Sequence, residues 1–105
     1  MFTMILEDAK GREIAKLGLA GNERYLMREG DPRFLLLSSL DALSWDAFSQ
    51  QQGLELQREL LSVLSDLQDT GERQHVQDLA QLALRAANTE GAKIFFTPFQ
   101  KPPSW

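Results

Sequence analysis

The chain has few of the residue types from which catalytic and metal sites are built. Its 105 residues include no cysteine and one histidine, His75. Without cysteine there is no disulfide, no thiolate nucleophile and no sulfur ligand for zinc. His75 has no second histidine to share a metal with, and we expect it on the polar, solvent-facing side of a helix. The sequence therefore favours a protein with no metal, no cofactor and no enzymatic activity.

Long apolar runs are also missing. The longest unbroken run covers residues 34–37, whereas a membrane-spanning helix needs roughly 20 residues. Glu7 and Asp8 interrupt the apolar residues at the amino terminus, so we expect no signal peptide and no membrane association. The sequence predicts one cytoplasmic domain over residues 1–98, followed by an extended tail over residues 99–105.

Negative charge is concentrated in one part of the chain. The net charge is −4, residues 1–40 are neutral, and the segment from Asp41 to Asp78 carries −6. Such a field repels a phosphate backbone, so we expect no nucleic-acid partner. It would attract a protein with a basic surface. The alternative is a solvated helix face that only confers solubility.

Two amphipathic helices are predicted over about 50–68 and 72–88, because apolar residues recur there at spacings of three and four. Ser49 and Gln52 have the spacing of a capping box at the start of the first helix, and the alternative is a start at Gly53. Asp69 and Glu72 have the same spacing at the start of the second helix. The stripe of the second helix is rich in alanine, which would let it approach a neighbour closely.

Strands are predicted on both sides of the helices. Residues 2–6 and 13–17 form an N-terminal hairpin, and residues 92–97 form the last strand. In residues 34–40, apolar side chains would lie on both faces of a strand, which favours a strand in the interior of the sheet. For residues 19–33 we favour a short strand over a bend that plugs the core. The fold class is α+β, with a mainly antiparallel sheet of four to five strands covered on one face by a helical hairpin.

The loop 42–48 supplies the first candidate contact residues, Trp45 and Phe48, with Asp41 and Asp46 beside them. Aromatic residues in a loop anchor protein interfaces or cover the end of the core. The acids would contact a basic partner, and the alternative for Asp46 is that it caps or turns the loop. Paired carboxylates also occur in hydrolytic and metal sites, but sequence spacing alone does not show the required geometry.

Glu55 and Glu59 lie one helical turn apart and are expected to be exposed, each close to Arg58. Trp105 at the carboxyl terminus would fold back over the sheet, insert into a second copy, or stay in solvent. The candidate partner-binding residues are Asp41, Trp45, Asp46, Phe48, Glu55, Glu59 and Trp105.

Four stretches together resemble a kind of short bacterial α+β protein of the immunity or accessory type. They are residues 37–41 (Leu-Ser-Ser-Leu-Asp), 45–48, 56–67 and 94–99. The sequence lacks the proline and glycine that commonly follow the aspartate in that kind of protein. The resemblance implies action by binding, with Asp41 and its loop as the contact region.

Three functions follow from these observations. The first is a non-enzymatic, immunity- or antitoxin-like inhibitor that covers a basic protein with its acidic surface. The second is a self-associating structural protein, a homodimer through a strand edge or the tail. The third is a small-molecule binder with a pocket lined by Phe34, Leu36, Trp45 and Phe95.

Overall fold

A four-stranded antiparallel sheet backed by helices forms the frame of the fold. A computed structural model describes residues 1–98, and the predicted tail with Trp105 lies outside the described residues. The elements in chain order are β1 (Thr3–Glu7), β2 (Glu13–Gly18), α1 (Glu23–Leu26), β3 (Asp46–Ser49), α2 (Gly53–Val63), α3 (Thr70–Ala87) and β4 (Lys93–Thr97). Single 3₁₀ turns occur at Leu37–Ser39, Gln50–Gln52 and Leu64–Asp66. The predicted α+β class is confirmed.

The strand order is β2-β1-β4-β3, so β1 and β4 are interior and β2 and β3 are edges. Met4 pairs with Phe96, and Phe48 pairs with Ile94. All four side chains are buried on the face that the helices cover. Phe95 has the opposite parity and points to the other face of the sheet.

Helices α2 and α3 form the predicted helical hairpin over this face. Their buried residues recur at helical spacing: Leu56, Leu60 and Val63 on α2, and Val76, Leu79, Ala80, Ala83 and Ala86 on α3. A Cβ built on Gly53 would lie 2.9 Å from the Ala83 oxygen and from Ala87. The start of α2 therefore packs directly on the end of α3, and the two helices run antiparallel.

The side-chain caps predicted at both helix starts are confirmed, although α2 itself begins at Gly53, after the 3₁₀ turn Gln50–Gln52. Ser49 and Gln52 form a capping box, in which the Ser49 N–H donates to Gln52 Oε1 at 2.9 Å. Asp69 Oδ2 accepts from the Glu72 N–H at 2.9 Å. Each cap satisfies backbone donors that the first helical turn leaves without partners.

The predicted strand over residues 34–40 is wrong. This segment forms turns and the 3₁₀ turn Leu37–Ser39. Phe34, Leu37 and Leu40 are buried at a spacing of three, whereas Leu35 is 69% exposed. A short apolar run fits a buried strand or a helical turn equally well, because it has no period to separate them.

The strand favoured within residues 19–33 is also wrong, because the segment contains the short helix α1. Tyr25 and Leu26 are buried there, in agreement with the alternative in which the segment plugs the core. The sheet instead takes its edge strand, β3, from residues that we expected to lie in a loop. β3 has only four residues, too few to show a clear alternation.

Candidate functional site

The segment Asp41–Asp46, which we call the contact loop, is fixed by its own carboxylates. Asp46 Oδ2 accepts the N–H of Asp41 at 2.9 Å. Asp41 Oδ1 accepts the N–H of Leu43 at 2.8 Å, and its Oδ2 lies 3.2 Å from the Ser44 hydroxyl. Asp and Asn side chains commonly stabilise turns in this way. Both acids therefore shape the loop, which the sequence suggested as an alternative for Asp46 alone.

Two large apolar side chains project from the contact loop. Leu43 is 83% exposed and Trp45 is 46% exposed. The Trp45 ring meets Phe95 edge to face, with centroids 5.9 Å apart and planes at 77°. This geometry is favourable for aromatic pairs, and it holds one side of Trp45 against the sheet. The loop thus presents an aromatic and an aliphatic group at the start of β3.

Phe48 and Glu59, both predicted contact residues, lie inside the protein. Phe48 packs edge to face on Phe96 at 6.0 Å. Glu59 has no solvent exposure, so the expectation of an exposed Glu55–Glu59 pair is wrong. Its carboxylate accepts the N–H groups of Leu36 and Leu37 at 2.9–3.1 Å. Those groups begin the Leu37–Ser39 turn, so Glu59 caps this turn from α2.

The two glutamates have opposite electrostatic environments. Burial raises the pKa of Glu59, although its backbone hydrogen bonds act in the other direction. A hydrogen bond and ion pair with Arg58 lower the pKa of Glu55. Glu55 is half-buried and lies on the outer side of α2.

Two arginines from the amino-terminal part of the chain pair with acids of the segment 41–78. Arg24 binds Glu72 at 2.7 Å, and Arg28 binds Asp66 at 2.8 Å. Both arginines belong to residues 1–40, whose charges sum to zero. Folding brings them onto α3 and the end of α2, so the acidic surface is smaller than the sequence indicates.

His75 is buried, and its predicted surface position is wrong. Asn22 Nδ2 lies 3.1 Å from His75 Nε2. The Asn22 side chain also binds both backbone groups of Phe2, at 2.7 and 2.8 Å. Burial lowers the pKa of His75. This group joins α1, β1 and α3, which explains why a histidine is placed inside the protein.

The four residues of the predicted ligand pocket do not come together. Phe34 belongs to the core on the helix side of the sheet, whereas Phe95 and Trp45 pack on the opposite side. Within residues 1–98, no group of three or more His, Cys, Asp or Glu side chains has metal-binding geometry. In the same range, no helix has the length and apolarity required to cross a membrane.

No protein-family model matches the sequence, and neither the curated proteins nor the solved structures give a significant match. The resemblance to short immunity-type proteins stays a prediction.

Sequence reasoning missed Leu43, the most exposed large apolar residue of the described chain. A signal was present, because Asp41 and Ser44 have the spacing of a side-chain-stabilised turn that would hold the residue between them outward. It also missed Arg33 and Arg58, which line one groove in the structure. Their separation along the chain gave no signal.

Proposed function

We propose that this protein is a non-enzymatic protein-binding module that contacts its partner through the contact loop. The observation that supports this most directly is the exposure of Leu43 and Trp45 on a backbone fixed by Asp41 and Asp46. A side chain held in position before binding loses less conformational entropy when the complex forms. Aromatic anchors of this kind are frequent energetic centres of protein interfaces.

The carboxylates add a preference for a basic partner. Asp41 and Asp46 carry negative charge next to the two apolar groups, and the chain as a whole has a net charge of −4. Complementary charge accelerates association and excludes partners of the wrong sign. An immunity- or antitoxin-like inhibitor that covers a basic protein is the specific form of this function that we propose, with action in the cytoplasm.

Leu43→Asp tests the contact loop. The side chain is mostly exposed, so the substitution should leave folding intact while it removes the apolar contact. Tagged wild-type protein should capture a specific polypeptide from the cells that produce it. Leu43→Asp should weaken its binding at least tenfold, which corresponds to about 1.4 kcal/mol.

Leu54→Asp provides the matched control, because Leu54 is also exposed but lies beyond the far end of β3, in the first turn of α2. This variant should bind like the wild type. Equal capture by Leu43→Asp and the wild type would exclude the loop as the contact. Binding that is insensitive to salt would exclude the electrostatic part of the proposal.

Self-association through β3 is the second candidate, and the edge position of this strand favours it. Ser49 donates its N–H to Gln52 rather than to β4. Peptide groups two residues apart on a strand point the same way, so the N–H of Ala47 is also directed away from β4. An unpaired strand edge is a template for another strand.

Ala47→Pro would remove that outward donor without removing a hydrogen bond to β4. A dimer that forms in the wild type and is lost in Ala47→Pro, measured by light scattering, would support self-association. Monomers for both proteins would exclude it.

A further inference from the structure

We infer that Asn22 and His75 form an acid-sensitive latch, which holds residues 1–2 and α1 against α3 at neutral pH and releases them when the imidazole is protonated. Asn22 immediately precedes α1, and His75 lies in the second turn of α3. Asn22 has no solvent exposure, and His75 is 8% exposed. The latch shares no residue with the contact loop, so this inference goes beyond the proposed function.

The orientation of the Asn22 amide is fixed by Phe2. The Phe2 N–H needs an acceptor, and it donates to Asn22 Oδ1 at 2.7 Å. The Phe2 carbonyl oxygen needs a donor, and it accepts from Asn22 Nδ2 at 2.8 Å. The flipped amide would place donor against donor and acceptor against acceptor, so only one orientation satisfies both backbone groups.

This orientation determines which nitrogen of the His75 ring carries the proton. Asn22 Nδ2 has two N–H groups, of which one donates to Phe2. The other is available to His75 Nε2, which lies 3.1 Å from Nδ2. Nε2 is therefore an acceptor without a hydrogen, and the neutral ring carries its proton on Nδ1.

Protonation of the ring converts this acceptor into a donor. With a hydrogen on His75 Nε2, two donors face each other across 3.1 Å. The Asn22 amide cannot turn its oxygen toward the ring without losing both bonds to Phe2. Buried donors without acceptors are unfavourable. Separation of the ring from Asn22 removes the conflict, so acid disconnects α3 from α1 and from the amino-terminal residues.

Burial and one carboxylate determine the pKa of His75. Burial lowers this pKa below the usual 6.5, and the Asp78 carboxylate on the same helix acts in the other direction. Folding therefore favours the neutral ring. The stability that the latch contributes is complete above about pH 6.5 and is lost as the pH falls through the lowered pKa.

The charged groups on either side of the latch form two ion pairs. The Met1 amino group pairs with Glu23, and Arg24 pairs with Glu72. The bond from the amino terminus lowers the pKa of Glu23 below 4.5. This pair therefore persists through the pH range in which His75 titrates, and the imidazole is the group that changes charge first.

Strand β2 also packs on α3, and its charged side chains lie away from the latch. Lys16 has the opposite parity to Leu17, which packs against the core, and therefore points to the other face of the sheet. Glu13 lies at the end of β2 that pairs with Glu7, far from Phe2. Neither residue is placed to compensate the charge of a protonated His75.

NMR of the full-length ¹⁵N-labelled protein tests the latch, and His75 is the only histidine, so its ring signals are unambiguous. At neutral pH, Nε2 should have the chemical shift of an unprotonated nitrogen and Nδ1 that of a protonated one. As the pH falls toward about 5, the ring should become protonated. The protection of the Phe2 N–H from hydrogen exchange, corrected for the intrinsic pH dependence, should fall roughly tenfold in step with it.

His75→Gln is the matched control, because glutamine provides a neutral acceptor that does not titrate. Protection of the Phe2 N–H in this variant should not depend on ring-range pH. Asn22→Asp reverses the sign, since its carboxylate still accepts from Phe2 but presents an oxygen to Nε2. The pKa of His75 should therefore be higher in Asn22→Asp than in the wild type.

Three results would each overturn the inference: a protonated Nε2 at neutral pH, protection of the Phe2 N–H that does not respond to ring protonation, or the same pH dependence in His75→Gln as in the wild type. The first is measured on the wild type alone, so it decides the question even if a variant fails to fold. None of these results bears on the Leu43 test, so the two proposals fail separately.

Discussion

Glu59 is an acid placed where a leucine would satisfy the helix pattern. It lies on the buried face of α2 between Leu56 and Leu60, and its carboxylate holds the N–H groups that begin the Leu37–Ser39 turn. A buried charge needs such partners, because removal from water costs several kcal/mol. Glu59 therefore lacks the hydrophobic stabilisation that a leucine would give, but its hydrogen bonds attach residues 36–37 to α2.

The pH dependence of stability tests this environment. Because burial raises the pKa of Glu59 above 4.5, folding favours the protonated form. Its contribution is complete below about pH 4.5 and is lost as the pH rises through the raised value. Urea unfolding should show that the wild type loses free energy of unfolding relative to Glu59→Gln over this range.

Glu55→Gln is the control with the opposite sign. The pKa of Glu55 is lowered by Arg58, so the wild type should lose stability relative to Glu55→Gln as the pH falls. Parallel pH profiles for the wild type and Glu59→Gln would show that Glu59 titrates as it does in the unfolded chain.

Tyr25 carries a polar atom without an assigned role. Its side chain is buried, and among the described residues no hydrogen-bond partner lies within reach of its hydroxyl group. Tyr25→Phe removes that group and keeps the ring. We expect the free energy of unfolding to rise by about 1 kcal/mol, since an unsatisfied buried hydroxyl is unfavourable.

Tyr25→Leu separates the contribution of the ring from that of the hydroxyl group. Urea denaturation measures the free energy of unfolding of both variants. Tyr25→Leu leaves a cavity and should lower the free energy of unfolding. A loss of stability in Tyr25→Phe would mean that the hydroxyl has a partner.

Whether an individual polar side chain is buried or exposed was the hardest feature to predict from the sequence. Glu59 and His75 were both assigned to the surface, because local helix periodicity treats every polar residue as exposed. Their partners are 22 and 53 residues away along the chain. No local pattern contains that information.

At the scale of elements, the helical hairpin depends on a glycine. A Cβ at Gly53 would meet backbone atoms of α3 at 2.9 Å, which cannot move without displacing the helix. Gly53→Ala should therefore lower the free energy of unfolding by about 1–3 kcal/mol through overpacking, despite the better helix propensity of alanine.

Gly71→Ala is the matched substitution in the first turn of α3. A Cβ there approaches only the Asp69 carboxylate, at 3.2 Å. Thermal or urea denaturation should show a smaller loss than for Gly53→Ala. Equal effects of the two substitutions would show that α2 and α3 separate easily at this crossing.

Elements with local signals were predictable, and those without were not. α2 and α3 have long periodic stripes and side-chain caps, so both their existence and their starts followed from the sequence. The segment 34–40 and β3 are short, and their conformations depend on Glu59 and on pairing with β4. The loop predicted over residues 42–48 ends earlier, at the start of β3, and the role of its acids required the structure.

At the scale of the whole molecule, ion pairs join parts of the chain that the charge count treats as separate. Arg24 and Arg28 reach acids 48 and 38 residues away. The acidic surface is therefore smaller than the charge count of the segment 41–78 indicates. Exposed ion pairs add little stability individually, and their main effect here is to reduce the long-range field.

One shared core predicts one unfolding transition. The buried cluster includes residues from β1, α1, α2, α3 and β4, so these elements should unfold together. In a Trp105→Phe variant, Trp45 fluorescence reports on the sheet edge, and circular dichroism at 222 nm reports on the helices. Their urea midpoints should coincide, and two separate midpoints would contradict a single domain over residues 1–98.

The position of β4 between β1 and β3 has a consequence for biosynthesis. On the ribosome, the N-terminal hairpin can pair as soon as it emerges, but β3 has no neighbour until Lys93–Thr97 has been translated and released from the exit tunnel. Until then, the nascent polypeptide must keep the apolar sides of β1 and of both long helices out of aggregates. The complete sheet therefore forms only after both long helices have been synthesised, when this single five-residue strand arrives.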